Sequence, residues 1–466
     1  MTTLWEAVLG ANDRLDGWAH RGSTELHIAR LPRPAWPIVA GSLARAITER
    51  GRTVLLLVSN PERFADELRP WLAGRPATHV FAEIGVSFLD RPPAFDEAVN
   101  RRLEALAALV TADKQPVVVV SSRRAVTRQT ISRRDLVDTT VVLRPGEVSD
   151  PVAIAGRLVE LGYSREPLVE DRAQFSLRGG ILDVFPAAAD EPVRAEWSGD
   201  AIETLRIFDP QNQRSVMAMD EAVIRTGREM LIGPDRGREA VERLRQSVSL
   251  GSLRGDVRSE WEDELTRLGS GAAFAGVEFY AAYLDPARPS LMDHVPEDAV
   301  VIDFEPGRQA AEARSLLDEA EMLAAAEAQG GELPRQFALP IAEPIEDFGS
   351  RPRLTLTSGE GAAEAIDLGW FEGEPLVGQQ RALAGFAARS EGAAIVFATE
   401  QDERLRALLD ESGVKTPMQE IDLDLDVELD PALYHAGIDL AAGCAQPEIG
   451  FHLATDAELF GRVRRP

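Results

Sequence analysis

Three stretches of this chain hold residue types whose spacing could do chemistry. IVAGSLARAITERG, residues 38–51, sits where a phosphate-binding loop would sit, before a helix and ahead of a buried strand. Such a loop reaches the β/γ-phosphates with a Lys and holds Mg²⁺ with a Ser or Thr. Aligned on Gly41 and Ser42, those two positions hold Ala44 and Arg45, and Leu43 puts a side chain where bare backbone must approach phosphate. The acidic counterpart is an Asp-Glu pair that closes a buried strand. VVIDFEP keeps Asp303 but places Phe304 in the second position, and Glu305 comes one residue late, on the opposite face of an extended backbone. Both departures predict a vestigial nucleotide site, no cofactor and no catalysis.

The second stretch, QFSLRGGILDVFP (residues 174–186), sets Arg178 and two glycines before an apolar run. Strand alternation puts Ile181, Asp183 and Phe185 on one face and Leu182 and Val184 on the other. In VRAEW, Arg194 and Glu196 share a face opposite Val193, Ala195 and Trp197. One side can pack on a helix while the other displays charge. Arg165, in GYSREP, lies just after that helix. Alternation alone does not show that these groups converge. A phosphate cradle is disfavoured, because the glycines precede a strand and not a helix N-terminus. Two readings stay open: a solvated face whose ion pairs add little stability, or a protein-binding face that uses bidentate arginines and steering.

The third stretch, SSRRAVTRQTISRRD (residues 121–135), is the most basic. It could touch DNA phosphate, but it lacks interleaved aromatics, so a solvated helix face is the favoured reading. EIDLDLDVELD (residues 420–430) alternates acid with apolar residues as a half-buried strand would. Its carboxylates would point outward in a row and hold no metal. The six histidines form no cluster in sequence. Cys444, the single cysteine, excludes an internal disulfide framework, fits a reducing cytoplasm and reads as a packed thiol.

These residues need elements to carry them. A chain of 466 residues predicts three or four domains, and 44% apolar residues suffice for packed cores. A net charge of −27 argues against a protein that coats nucleic acid. No window is long and apolar enough for a membrane span, and no secretory leader is apparent; Leu4, Val8 and Leu15 fit a helix face instead. RTVLLLVSN and QPVVVVSS read as strands of a buried parallel sheet, with helical segments between them. From residue 141 closely spaced strands with turn residues suggest an antiparallel sheet backed by a helix, and Ser198 to Asp200 a hairpin turn. The expected fold is α/β. Residues 1–140 and 226–345 form a degenerate RecA-like parallel-sheet domain, 141–225 an inserted α+β domain, and 346–466 a second, smaller α/β domain.

The run from LVELGYSREP through FSLRGGILDVFP to RIFDPQNQRS resembles the module shared by the excinuclease subunit UvrB and the bacterial transcription-repair-coupling factor, Mfd. GVEFYAAYL and GFHLATDAELFGRVRRP extend the likeness more loosely. UvrB is an ATPase with an aromatic-rich DNA-clamping hairpin. The broken loop, and the short SFLDRPPAFDEAVNRRL segment that leaves no room for that hairpin, favour the coupling factor's N-terminal region. The alternative is a UvrB-like ATPase or DNA-binding component of damage verification. The resemblance implies that the inserted domain docks UvrA, the damage-recognition ATPase. RNA polymerase and DNA would be met only by domains that this chain lacks. Carried over by position, the UvrA-contacting set is Arg165, Ser176, Arg178, Arg194, Glu196 and Trp197. Here Ser176 stands where UvrB often has Arg, Trp197 where it has Phe, and Ala173 where it has Gly.

Overall fold

The computed structural model describes residues 2–21, 25–84, 97–112, 114–272, 274 and 276–461. Its largest sheet has seven strands, all paired in parallel, in the spatial order Ile366–Asp367, Leu26–Ala29, Arg353–Leu356, Val300–Phe304, Val54–Leu57, Val118–Ser121, Thr78–Val80. Its central strands are buried on both faces, and hence read as unbroken Val/Leu/Ile runs. The helices Trp36–Thr48 and Pro61–Leu72 cover one face, and Glu97–Val110 packs into the core of the other. The strand Arg353–Leu356 corrects the expected boundary at 345/346. It lies between the strands that start at Leu26 and Val300, inside the first sheet. A parallel sheet takes its strands in any chain order, so the apolar run RLTLTS carries no mark of which sheet it joins.

Residues 141–143 and 222–224 pair as a two-stranded antiparallel stem at the base of a separate six-stranded sheet. That sheet runs Ser215–Ala218, Ala201–Phe208, Val193–Ser198, Ile181–Val184, Gln174–Arg178, Ser164–Arg165, antiparallel except for its last pair. The helix Pro151–Glu160, capped by Asp150, packs its Ala155 and Leu158 against one face. Helices Pro234–Ser247, Gly255–Ser270 and Pro306–Gly330 share a core around Trp261, Tyr280 and Phe337. A second six-stranded sheet, mixed in direction, is built from Phe371–Glu372 to Phe451–Thr455.

Two further expectations change. The N-terminal segment forms two helices, Leu4–Gly10 and Asp13–Arg21, because the Asn12 side chain accepts from Arg14 N and Leu15 N and starts the second. The residues 420–430 are not a strand beyond Glu420. Their alternation is real in burial, since Leu423 and Leu425 are in the core. The backbone instead bonds to the first helix and to Trp71, through Leu4 N to Val427 O, Trp5 N to Leu425 O and Leu425 N to Trp71 O. Cys444 is buried, as the packed-thiol reading expects, and burial raises its pKa. Among the described residues no helix is long and apolar enough to cross a membrane.

Candidate functional site: a charged sheet face and a strand-end crevice

The double glycine at 179–180 is a hairpin tip. Arg178 pairs with Ile181 across a two-residue turn whose first residue, Gly179, has φ 61°, the pattern of a type II′ connection. Gly180 is needed for a different reason. A Cβ there would stand 3.3 Å from the Trp197 carbonyl oxygen, and Gly180 O accepts from Trp197 N at 2.8 Å.

The antiparallel register aligns side chains in rows across the open face. One row is Ser176, Asp183, Arg194 and Arg206; the next is Arg178, Ile181, Glu196 and Thr204. Asp183 is the centre of the face. Its carboxylate is buried, yet it accepts from Arg194 Nε at 2.6 Å, Arg194 Nη2 at 2.9 Å and Arg178 Nη2 at 2.7 Å. Arg194 is further held by the Gln213 carbonyl (3.0 Å) and lies over the Phe208 ring (4.9 Å). The two arginines therefore differ. Arg194 is 15% exposed and bidentate; Arg178 is 51% exposed and holds Asp183 by one bond. Arg178 can leave without stranding the carboxylate, and Arg194 cannot. Arg194→Ala is accordingly expected to lower unfolding stability by about 2–5 kcal/mol, the cost of breaking a buried pair. A urea titration reads this, and a loss below about 1 kcal/mol would count against the assignment. Glu196 accepts from Thr204 Oγ1. Exposed Arg206 extends the row beyond Arg194, so the face sets arginines and carboxylates side by side.

Three members of the sequence-derived set stand apart. Ser176 is buried and donates to the Pro167 carbonyl. Trp197 lies on the helix-packed face, where its indole donates to the Ser149 carbonyl at 2.9 Å. Arg165 is exposed on the two-residue edge strand, in register with Phe175 of the packed face. Asp183, which organises the face, is absent from that set; its only signal is its place in the alternation between Leu182 and Val184.

The phosphate-loop assignment is corrected. Gly41, Ser42, Ala44 and Arg45 are not in a loop before a helix but within the helix Trp36–Thr48. A Cβ on Gly41 would come 2.7 Å from Leu425 Cδ1 and 3.3 Å from Leu68 Cδ1, so the glycine serves close packing. Ser42 Oγ donates to Ile38 O, Ala44 is fully buried, and Arg45 pairs with Glu49 and Asp426. The loop that does leave the strand Leu26–Ala29 and enter that helix is residues 30–35. Pro32 and Pro34 have no N–H, Arg30 N donates to Gly359 O, Leu31 N to Thr357 O and Ala35 N to Pro32 O. Few amides remain to face a phosphate.

The crevice at the carboxyl ends of the parallel strands, where open α/β sheets take ligands, is a cavity of about 600 Å³ lined by Arg33, Trp36, Asn60, Phe64, Phe304 and Glu305 among others. Phe304 packs against Trp36 (4.8 Å) and Phe64 (5.0 Å). Glu305 is not extended, as the sequence suggests, but left-handed with φ 49°, and it accepts from Ser358 N. Asp303 is not in this crevice. It points to the opposite face, fully buried, and accepts from Arg123 Nη2 (2.6 Å), Arg353 Nη2 (2.7 Å) and Gln309 Nε2 (3.2 Å). Phe348 lies 5.2 Å from each guanidinium.

That cluster also corrects the reading of residues 121–135 as a solvated helix face. Arg123 is spent on Asp303 and the Ile345 carbonyl, and Arg133 on the carbonyls of Leu109 and His294. Burial lowers the pKa of Arg128 to about 10. Only Arg134, paired with Asp138, is strongly exposed at 89%. The segment expected to be too short for a DNA-clamping hairpin falls largely on residues 85–96, outside the described residues.

A large parallel sheet with helices on both faces, interrupted by an antiparallel sheet with its own helix, is a UvrB-like form of the RecA-like architecture. Residues 141–229 match the family described as the UvrB interaction domain. The chain is 33% identical over 262 residues to the transcription-repair-coupling factor of Myxococcus xanthus, covering 54% of this chain and 21% of that protein. It is 26% identical over 299 residues to the factor of Bacillus subtilis, covering 61% and 24%. With the UvrABC system protein B of Streptomyces coelicolor it shares 25% identity over 355 residues, 72% of this chain and 45% of that protein. The chain thus spans between a fifth and a quarter of the length of these coupling factors.

Proposed function

We propose that this chain is a non-catalytic adaptor that recruits UvrA in transcription-coupled nucleotide excision repair, through the charged face of the sheet at residues 174–208. The observation that carries the reading is the pair of unequal arginines on Asp183, inside the segment that matches an interaction domain. Arg194 fixes the carboxylate and the strand spacing. Arg178 can exchange Asp183 for a carboxylate on UvrA at small cost, since Asp183 stays neutralised. The exposed guanidinium groups of Arg178 and Arg206 favour carboxylates on the partner surface.

The crevice supports the non-catalytic part of this reading. Its loop has two prolines where a phosphate nest is required, an aromatic cluster lines the strand end, and the remaining acid is neutralised by two arginines on the other face. A Mg²⁺ held by Asp303 Oδ2 would have to displace both guanidinium groups, and one held by Oδ1 the Gln309 amide. Titration of a fluorescent ATP analogue into the full chain is expected to give no Mg²⁺-dependent binding up to millimolar concentration. Saturable Mg²⁺-dependent binding would favour the UvrB-like ATPase instead.

A further inference from the structure

Three parallel strands of the C-terminal sheet, Ala394–Ala398, Ala432–Ala436 and Met418–Glu420, end side by side, and the register sets His435 beside Phe397 and Glu420. The helix Asp402–Glu411 starts just past the first of them. This brings together Asp402, Glu420 and His435, with one potential ligand atom from each within 4.8 Å of the others. The His435 side chain is 6% exposed, and its Nε2 lies 3.0 Å from the Thr399 carbonyl oxygen. A carbonyl only accepts, so Nε2 carries the proton. The other ring nitrogen, Nδ1, lies 2.6 Å from Glu420 Oε2 and 3.8 Å from Asp402 Oδ1. A ring nitrogen set against two carboxylates shares a cation with them, either a proton or a metal. An imidazole pinned through its far N–H by a carbonyl, with its near nitrogen on carboxylates, is how proteins orient a metal-binding histidine.

We propose that Asp402, Glu420 and His435 bind one divalent transition-metal ion of the Zn²⁺ type, through His435 Nδ1 and one oxygen of each carboxylate, with the remaining coordination positions open to solvent. One nitrogen and two oxygen donors suit Zn²⁺, whereas Mg²⁺ favours oxygen alone. Bonds of about 2.0–2.1 Å to a tetrahedral ion hold ligand atoms roughly 3.3 Å apart. Glu420 must therefore retreat by under about 1 Å, and its side chain, 60% exposed, has room to do so. The competitor is Arg406, whose guanidinium donates to Asp402 Oδ1 and Glu420 Oε1 at 2.7 Å each. A metal must displace this half-exposed cation, which limits affinity and gives the site a signature: deleting the arginine strengthens it.

Calorimetric titration of ZnCl₂ into the untagged full chain is expected to show one saturable site, with no response to millimolar MgCl₂. Arg406→Ala should tighten zinc binding at least fivefold, and His435→Ala should abolish it. Because His435 is buried, the Asp402→Asn/Glu420→Gln double variant, altered only at side chains 43% and 60% exposed, provides a second loss-of-binding chain, and circular dichroism checks that both are folded. Zinc binding that is absent from the wild-type and Arg406→Ala chains alike would overturn the proposal, leaving the His435–Glu420 contact as an internal hydrogen bond. So would binding that both loss variants retain.

Discussion

Arg178→Glu is expected to weaken UvrA binding at least tenfold while leaving the chain folded. Arg178 is half exposed and holds Asp183 by a single bond, and Arg194 keeps both carboxylate oxygens when it is gone. The folded state therefore keeps a paired Asp183 and is expected to lose less than with Arg194→Ala. The encounter loses more, because the cation offered to the partner becomes an anion, and a like-charge contact at an interface costs several kcal/mol. Equilibrium binding to purified UvrA, with a thermal melt alongside, separates the two effects. Affinity within twofold of the wild type would remove Arg178 from the interface. A collapse of the melt would make the residue structural.

The second large effect is expected at Asp303. Asp303→Ala leaves Arg123, 6% exposed, and Arg353, 19% exposed, facing each other beside Phe348 without their shared carboxylate. Removing one partner from a buried ionic cluster costs about 3–5 kcal/mol, whereas replacing the whole cluster by apolar residues is often neutral. Denaturant unfolding of the first transition should show that loss. The triple change Asp303→Leu, Arg123→Met, Arg353→Leu should recover much of it. A loss below about 1 kcal/mol for Asp303→Ala would mean that the acid is not consumed by the core and is open to another role.

The parts of the fold legible in the sequence were those with a strong period. VLLL, VVVS and VVIDF read as buried strands, and alternation set Asp183 opposite Leu182 and Val184, and Arg194 and Glu196 on a shared face of VRAEW, without showing that the two strands' charges meet. Register was not legible, and register decides what meets what. It sets Asp183 beside Arg194, brings Arg353 and Arg123 to Asp303 from positions 50 and 180 residues away, and gathers Asp402, Glu420 and His435 from three segments. Motif alignment misled at Gly41. A Gly-Ser pair ahead of a buried strand has the composition of a phosphate loop, but the run WPIVAGSLARAIT forms one continuous helix, and the turn into it falls several residues earlier. Basic composition misled at residues 121–135, where the arginines satisfy buried carbonyls and carboxylates of neighbouring elements.

The most direct test of the central claim is a hydrogen–deuterium exchange footprint of the full chain with and without UvrA. Protection is expected over residues 174–208, strongest around the Gly179–Gly180 hairpin and the strand Val193–Ser198, and absent from the crevice loops at 30–36 and 304–308. Unchanged exchange across 174–208 at saturating UvrA, or protection confined to the crevice, would contradict the account.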